Sequence, residues 1–249
     1  MKTLRRIAIL FFGVVFAISL FMLARILVQG RQEQAAFDRL SAALEQPESA
    51  DGQNPGQSPY EALKAQTPDF FGWISIEGTN IDYPVMFTPD DPEHYLRRAF
   101  DGSSSQSGVP FLSADCFAGG GNWLIYGHNM KNGSMFADLL NYAKEDFWQE
   151  HPLIQFDTLE EEGTYEVFAA FYARVYTEGE SGFAYYEYTD ISQQADFEAY
   201  LAQVSGAALY DTGVEAQYGD QLITLSTCTN RSQDERFVVV GRQIQHQDS

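Results

Sequence analysis

The chain has 249 residues and a formal net charge of −20. Its 15 basic and 35 acidic residues exclude a general nucleic-acid binder, which needs a basic footprint. Residues 1–31 hold five basic residues and no acidic one. The remainder therefore sets 10 basic against 35 acidic side chains, a net of −25, which argues against a domain lying flat on anionic lipid.

Ile7 to Ala24 is an uncharged apolar run of 18 residues, preceded by Lys2, Arg5 and Arg6. That length meets the threshold for a single transmembrane helix, and the flanking charges set the N-terminus in the cytoplasm. The competing reading is a cleaved secretory signal. A signal core is usually shorter, and no clean small-x-small site follows here. Either way the bulk of the chain is exported. The organisation expected is a cytoplasmic start and anchor over residues 1–30, a stalk with short helices over 31–68, and a catalytic domain over 69–249. The stalk combines a helical stretch at Ala35–Leu44, a Pro-, Gly-, Gln- and Ser-rich run from Gln46 to Pro59, and a short helix at Pro59–Gln66.

From Asp69 onward the pattern turns mainly β. Phe71–Ile76 and Asn80–Val85 flank Glu77-Gly78-Thr79, a hairpin-like signal. Val109–Leu112, Asn122–Tyr126, Ile154–Phe156 and Thr164–Tyr176 read as further strands. Ser134–Phe147 and Ser192–Val204 carry helical spacing. Two apolar strands close the chain, Leu222–Cys228 and Arg236–Arg242. Many short strands with few helices favour a closed or partly closed barrel. No Gly-rich phosphate loop follows a strand, so a nucleotide fold is disfavoured.

The chain has two cysteines, Cys116 and Cys228. A structural disulfide is one reading, since the compartment permits it. It would consume the thiol at the end of Leu222–Cys228, so the preferred reading leaves Cys228 free and Cys116 a buried or partly buried small residue. A cysteine nucleophile needs an imidazole for proton transfer and a donor for the developing oxyanion. Of four histidines, His246 lies in a polar tail, and His94 and His151 lie in acidic connections that suggest solvated surface. His128 follows a strand in Leu124-Ile125-Tyr126-Gly127-His128-Asn129-Met130, with Gly127 allowing a tight turn. Strand alternation puts Leu222, Thr224, Ser226 and Cys228 on one face. Arg236 faces Cys228 if Thr229–Glu235 forms the connecting loop, and its several donors suit an oxyanion. A surface ion pair of Arg236 with Glu235 or Asp234 is the plain alternative. Arg231 is the rival arginine, at a mid-loop position that holds it less firmly.

These residues resemble the motifs of a known family. Thr224-Leu225-Ser226-Thr227-Cys228 followed by Arg236-Phe237-Val238-Val239 is similar to the cysteine and arginine motifs of sortases. Ile125-Tyr126-Gly127-His128-Asn129-Met130 with Met135-Phe136 resembles the histidine motif of class B sortases. The resemblance covers roughly residues 69–245. It implies an eight-stranded β-barrel with peripheral helices behind the N-terminal transmembrane helix. It also implies a cysteine transpeptidase or endopeptidase without metal or organic cofactor.

By the same resemblance, Cys228 attacks the Thr carbonyl of a C-terminal sorting motif, of Asn-Pro-x-Thr-x or Leu-Pro-x-Thr-Gly type, on a secreted protein. His128 serves the leaving and incoming amines, and Arg236 holds the oxyanion. The acceptor is an amine of a peptidoglycan precursor or a pilin. Ser226, Leu96, Tyr185 and Tyr186 resemble substrate-binding positions, with packing as the alternative for the last three. Two other classes compete: an L,D-transpeptidase, whose signature has Gly before Cys and Arg two after it, and a non-enzymatic anchored surface-binding module. Thr227 and Asn230 occupy the diagnostic positions here and count against the first. Three ordered motifs count against the second.

Overall fold

The computed structural model describes residues 2–45, 58–177 and 179–244. The expected stalk core, 46–57, and His246 lie outside them. The chain divides into two units, Met1–Leu40 and Ser41–Ser249.

Helix α1 (Lys2–Glu45) makes up the first unit and runs a few residues beyond its boundary. The helical stretch expected at 35–44 is the C-terminal part of α1, not a separate element. Gly30 lies within the helix and costs about 1 kcal/mol against Ala, too little to break it. Phe11, Phe12, Phe16, Leu20 and Phe21 are all exposed. The helix is long and apolar enough to cross a membrane, with mean hydropathy 2.5 in its most apolar window.

Within the second unit, α2 (Pro59–Gln66) begins where the sequence dictates. Ser58 and Glu61 form a reciprocal capping box, and Pro59 fills a position that needs no N–H. Eight strands follow: β1 (Phe70–Ser75), β2 (Asp82–Met86), β3 (Phe111–Leu112), β4 (Asn122–Gly127), β5 (Leu153–Thr158), β6 (Thr164–Arg174), β7 (Leu222–Cys228) and β8 (Glu235–Gln243). They close into a barrel in the order β1-β2-β3-β4-β7-β8-β6-β5. Most neighbours are antiparallel, but β2–β3 and β4–β7 are parallel. The core is apolar and includes Ile74, Tyr83, Val85, Leu124, Ile125, Phe156, Val167, Phe171, Ile223, Leu225, Val238 and Val240. Closure leaves no edge strand to protect.

Two expectations change in detail. The strand expected at 109–112 narrows to Phe111–Leu112, because Pro110 has no N–H for a ladder. Its carbonyl still accepts from the Met86 N–H (2.9 Å), so the segment stays beside β2. The helix expected at 134–147 is instead a 3-10 segment, Phe136–Ala143, followed by α3 (Glu145–Glu150). Its buried side chains are Phe136, Leu139 and Tyr142. That spacing of three matches the turn of a 3-10 helix and not 3.6. The inserted helix α4 spans Gln194–Ala207 and packs on β6.

Gly127 has a different role from the turn expected of it. It is the last residue of β4, and a Cβ there would stand 2.5 Å from Cγ of Phe136. The bare backbone lets the Phe136 ring pack directly against the strand that leads to His128. Gly127→Ala should therefore lower unfolding free energy by about 1–3 kcal/mol through overpacking. Thermal or chemical denaturation against wild type tests this, and an unchanged midpoint would refute it.

Candidate active site

The site is built by strand register. In the parallel β4–β7 pair, Tyr126 lies opposite Ser226 and Gly127 opposite Thr227. Thr227 Oγ1 donates to the Gly127 carbonyl at 2.8 Å and locks that last pair. The chains then leave the two strands side by side, one as His128 and the other as Cys228. In the antiparallel β7–β8 pair, Cys228 lies opposite Arg236. Directly paired residues project to the same face of a sheet. The register thus gathers His128, Cys228 and Arg236 at one end of three adjacent strands.

Cys228 is exposed and its thiol is free. Its carbonyl accepts a hydrogen bond from Asn129 Nδ2 (3.1 Å), which ties the histidine segment to the end of β7. His128 is half-buried, with Nε2 2.9 Å from the Leu96 carbonyl oxygen. Burial, with a smaller push from the Arg97 charge, holds its pKa below the ordinary imidazole value, while the Leu96 bond acts in the opposite sense. The ring is neutral near pH 7 and suited to accept a proton.

Arg236 Nη1 donates to the carbonyls of Gln233 (2.9 Å) and Glu235 (3.1 Å). Among the described residues it forms no ion pair with Glu235 or Asp234. The Glu235 carboxylate instead accepts from the Thr229 hydroxyl. Arg231, expected to be poorly held, stacks its guanidinium over the Tyr172 ring at 4.5 Å. It is anchored to β6, with a partner that sequence spacing did not reveal.

Ser226 shares the face of Cys228, as alternation requires. Its hydroxyl lies 2.7 Å from that of Tyr185, and each residue is only 1 % exposed. The pair is a packed floor beneath the thiol, not open surface. Burial pushes the Tyr185 phenol up to about 12, so it stays neutral. Tyr186 packs edge-on against Tyr185, and its hydroxyl accepts from the Tyr176 N–H. Leu96 is half-buried in a 3-10 turn, His94–Arg97, whose carbonyl meets His128.

The other two described histidines, His94 and His151, have partners of their own. His94 pairs with Asp91 (2.9 Å). His151, expected on solvated surface, has Nδ1 2.7 Å from the Glu77 carbonyl and its ring against Phe147. It fastens the β1–β2 loop. Cys116 is buried, with its sulfur accepting from the Leu124 N–H (3.4 Å). Burial pushes its thiol up to about 11. Among the described residues no cluster of His, Cys, Asp or Glu is arranged to hold a metal ion.

A closed eight-stranded barrel with thiol, imidazole and guanidinium at one end is the framework of a cysteine acyl-transfer enzyme. The sortase-domain family model matches residues 74–244. The chain belongs to the sortase family of cysteine transpeptidases, and within it to class B. It is 34% identical over 187 residues to sortase B of Listeria monocytogenes, covering 73% of this chain and 72% of that protein. A crystal structure of the Listeria sortase B superposes with a TM-score of 0.63 at 33% identity, covering 73% of this chain and 98% of that one. The Staphylococcus aureus sortase B–substrate complex shares the fold, with a TM-score of 0.74 at 24% identity over 88% of this chain and 99% of that one. Family membership sets aside both the L,D-transpeptidase and the non-enzymatic module.

Around the thiol and imidazole, the Leu96 carbonyl on His128, the Asn129 bond to Cys228 and the Thr229–Glu235 clasp have no counterpart in the sequence pattern. Two use main-chain carbonyls, which carry no residue signature.

The two thiols should differ sharply in reactivity. Iodoacetamide should label Cys228 in the native protein and Cys116 only after unfolding, with two free thiols by titration. A Cys116–Cys228 bond in active protein would refute this. His128 also predicts a pH effect. Its folded pKa is depressed, so its contribution is complete above 6.5, the unfolded value, and is lost as pH falls through the folded pKa. Between pH 7 and 5 the wild type should lose more stability than His128→Asn. Equal losses would show that burial does not disfavour the imidazolium.

Proposed function

We propose that this sortase is held in the membrane by α1, with its N-terminus in the cytoplasm and its barrel outside. It cleaves a C-terminal sorting motif of Asn-Pro-x-Thr-x or Leu-Pro-x-Thr-Gly type on secreted proteins. It then transfers them to an amine of a peptidoglycan precursor or pilin. The observation that carries the catalytic reading is the register of β4, β7 and β8. It sets an exposed thiol between a neutral histidine and an arginine.

In the proposed reaction the Cys228 S–H proton moves to His128 as sulfur bonds to the Thr carbonyl carbon. The carbonyl oxygen gains negative charge, which the guanidinium donors of Arg236 stabilise. The C–N bond then breaks, and the leaving amine takes its proton from His128. A thioester remains. The incoming amine attacks it, loses a proton to His128, and releases the thiol with that proton returned to sulfur. Leu96 and Tyr186 are proposed to border the peptide groove, over the floor made by Ser226 and Tyr185. The anchor reading is supported by the apolar length of α1 and by Lys2, Arg5 and Arg6 before it.

Full-length protein in detergent micelles, incubated with fluorogenic peptides of both motif types, tests the reading. A thioester adduct on Cys228 should be visible by intact mass and absent in Cys228→Ala. Arg236→Ala should lower kcat/KM by roughly 10²–10³-fold, as expected for loss of an oxyanion donor. No cleavage and no adduct with any peptide under reducing conditions would refute the assignment.

A further inference from the structure

We propose that the main-chain carbonyl of Leu96 orients the catalytic imidazole: it accepts the Nε2–H of His128, fixes that neutral tautomer and leaves Nδ1 to exchange the proton with Cys228. Gly108 is the positioning residue that allows the carbonyl to stand there. The idea rests on the transpeptidase reading above, but its first test needs no substrate.

The assignment follows from hydrogen-bond chemistry. A carbonyl oxygen has no proton, so the 2.9 Å contact to His128 Nε2 requires nitrogen to be the donor. A neutral imidazole has one N–H, so Nδ1 carries the lone pair. Acyl transfer then balances at a single atom. Nδ1 takes the thiol proton as the carbon–sulfur bond forms, and returns it to the amine as the carbon–nitrogen bond breaks. The orienting group carries no charge. It fixes the ring without strongly favouring the imidazolium, which agrees with the depressed pKa of His128.

Both partners are held from several sides. The His128 carbonyl accepts from the Phe136 N–H (2.8 Å), which fixes the backbone under the ring. Leu96 lies in the His94–Arg97 turn, with its own N–H on the Glu93 carbonyl (3.0 Å). On one side the buried Tyr95 donates to Asp69 (2.9 Å), and its carbonyl accepts from the Val109 N–H (3.1 Å). On the other, the Arg97 carbonyl accepts from the Ser105 N–H (3.0 Å). The segment between these anchors turns back through Gly108, whose φ is +62° and whose N–H meets Ser105 Oγ at 3.1 Å. A Cβ at Gly108 would stand 2.7 Å from the Leu96 carbonyl oxygen and 2.6 Å from that of Tyr95. These are backbone atoms and cannot rotate aside, so a methyl group at 108 must displace the carbonyl that holds His128.

The test is imidazole NMR on the full-length protein in detergent micelles, labelled with 15N-histidine and assigned with His128→Asn. Wild-type His128 is expected as the Nε2–H tautomer above pH 7. Gly108→Ala should shift that population toward Nδ1–H and lower kcat for thioester formation by roughly tenfold to hundredfold, with KM unchanged. Gly102→Ala is the control. It imposes the same kind of backbone strain, at φ +78°, where a Cβ meets nothing within 4 Å. It should leave tautomer and kcat as in wild type. Wild-type His128 in the Nδ1–H form would overturn the proposal, as would Gly108→Ala that keeps both tautomer and kcat. The first outcome is readable even if Gly108→Ala does not fold. A wild type with the expected tautomer but no acyl-enzyme would count against the transpeptidase reading and not against the assignment.

Discussion

The parallel pairing of β4 with β7 is the constraint on which the site depends. A slip of one residue would turn every side chain of β7 to its opposite face, Cys228 included. The barrel resists that slip on both faces. Ile223 and Leu225 are buried, and the polar residues on the other face are satisfied only in this register. Thr224 donates to Asn122 Oδ1 (2.9 Å), so its hydroxyl accepts from Tyr200 (2.7 Å). Asn122 in turn donates to the Tyr188 carbonyl (2.8 Å). A shifted strand would orphan several buried polar atoms at about 1–3 kcal/mol each. The same network ties α4 to the strand that ends in Cys228.

Electrostatic environment then separates groups of identical chemistry. The chain is strongly acidic, yet among the described residues His128 forms no ion pair with a carboxylate. Around His128 the dominant influence is burial, which favours the neutral ring. Around Cys116 burial again dominates and favours the protonated thiol, in a pocket closed to solvent. Cys228 differs in being exposed at a strand end. Position in the barrel, not residue type, makes one thiol available for chemistry and the other a packing element.

The parts legible in sequence were those with periodicity or a charged side chain. The terminal strands announced themselves by β-branched runs, and α2 by Ser58, Pro59 and Glu61. Alternation put Ser226 on the face of Cys228, and the loop length put Arg236 opposite it. Alternation carries no information about what covers a face, so the Tyr185 hydroxyl over Ser226 was invisible. The 3-10 segment at 136–143 misled because its apolar positions fit two helical periods. The positions actually buried are Phe136, Leu139 and Tyr142, at the spacing of three that suits a 3-10 turn. His151 looked like a solvated residue in an acidic stretch. Its partner, the Glu77 carbonyl, is distant in sequence and has no signature of its own.

Arg236 is held by carbonyls of Gln233 and Glu235, so its placement follows the backbone of its own loop. That loop is closed near its base by two bonds between Thr229 and Glu235, one through the main chain and one through the side chains. Farther out, Arg231 stacks on Tyr172 of β6. Among the described residues the charged donor opposite Cys228 is thus positioned without an ion-pair partner. An ion pair would have fixed Arg236 more tightly but lowered its field at the end of β7. Carbonyl tethers hold the guanidinium without a counter-charge, the arrangement that the proposed stabilisation of a developing oxyanion needs.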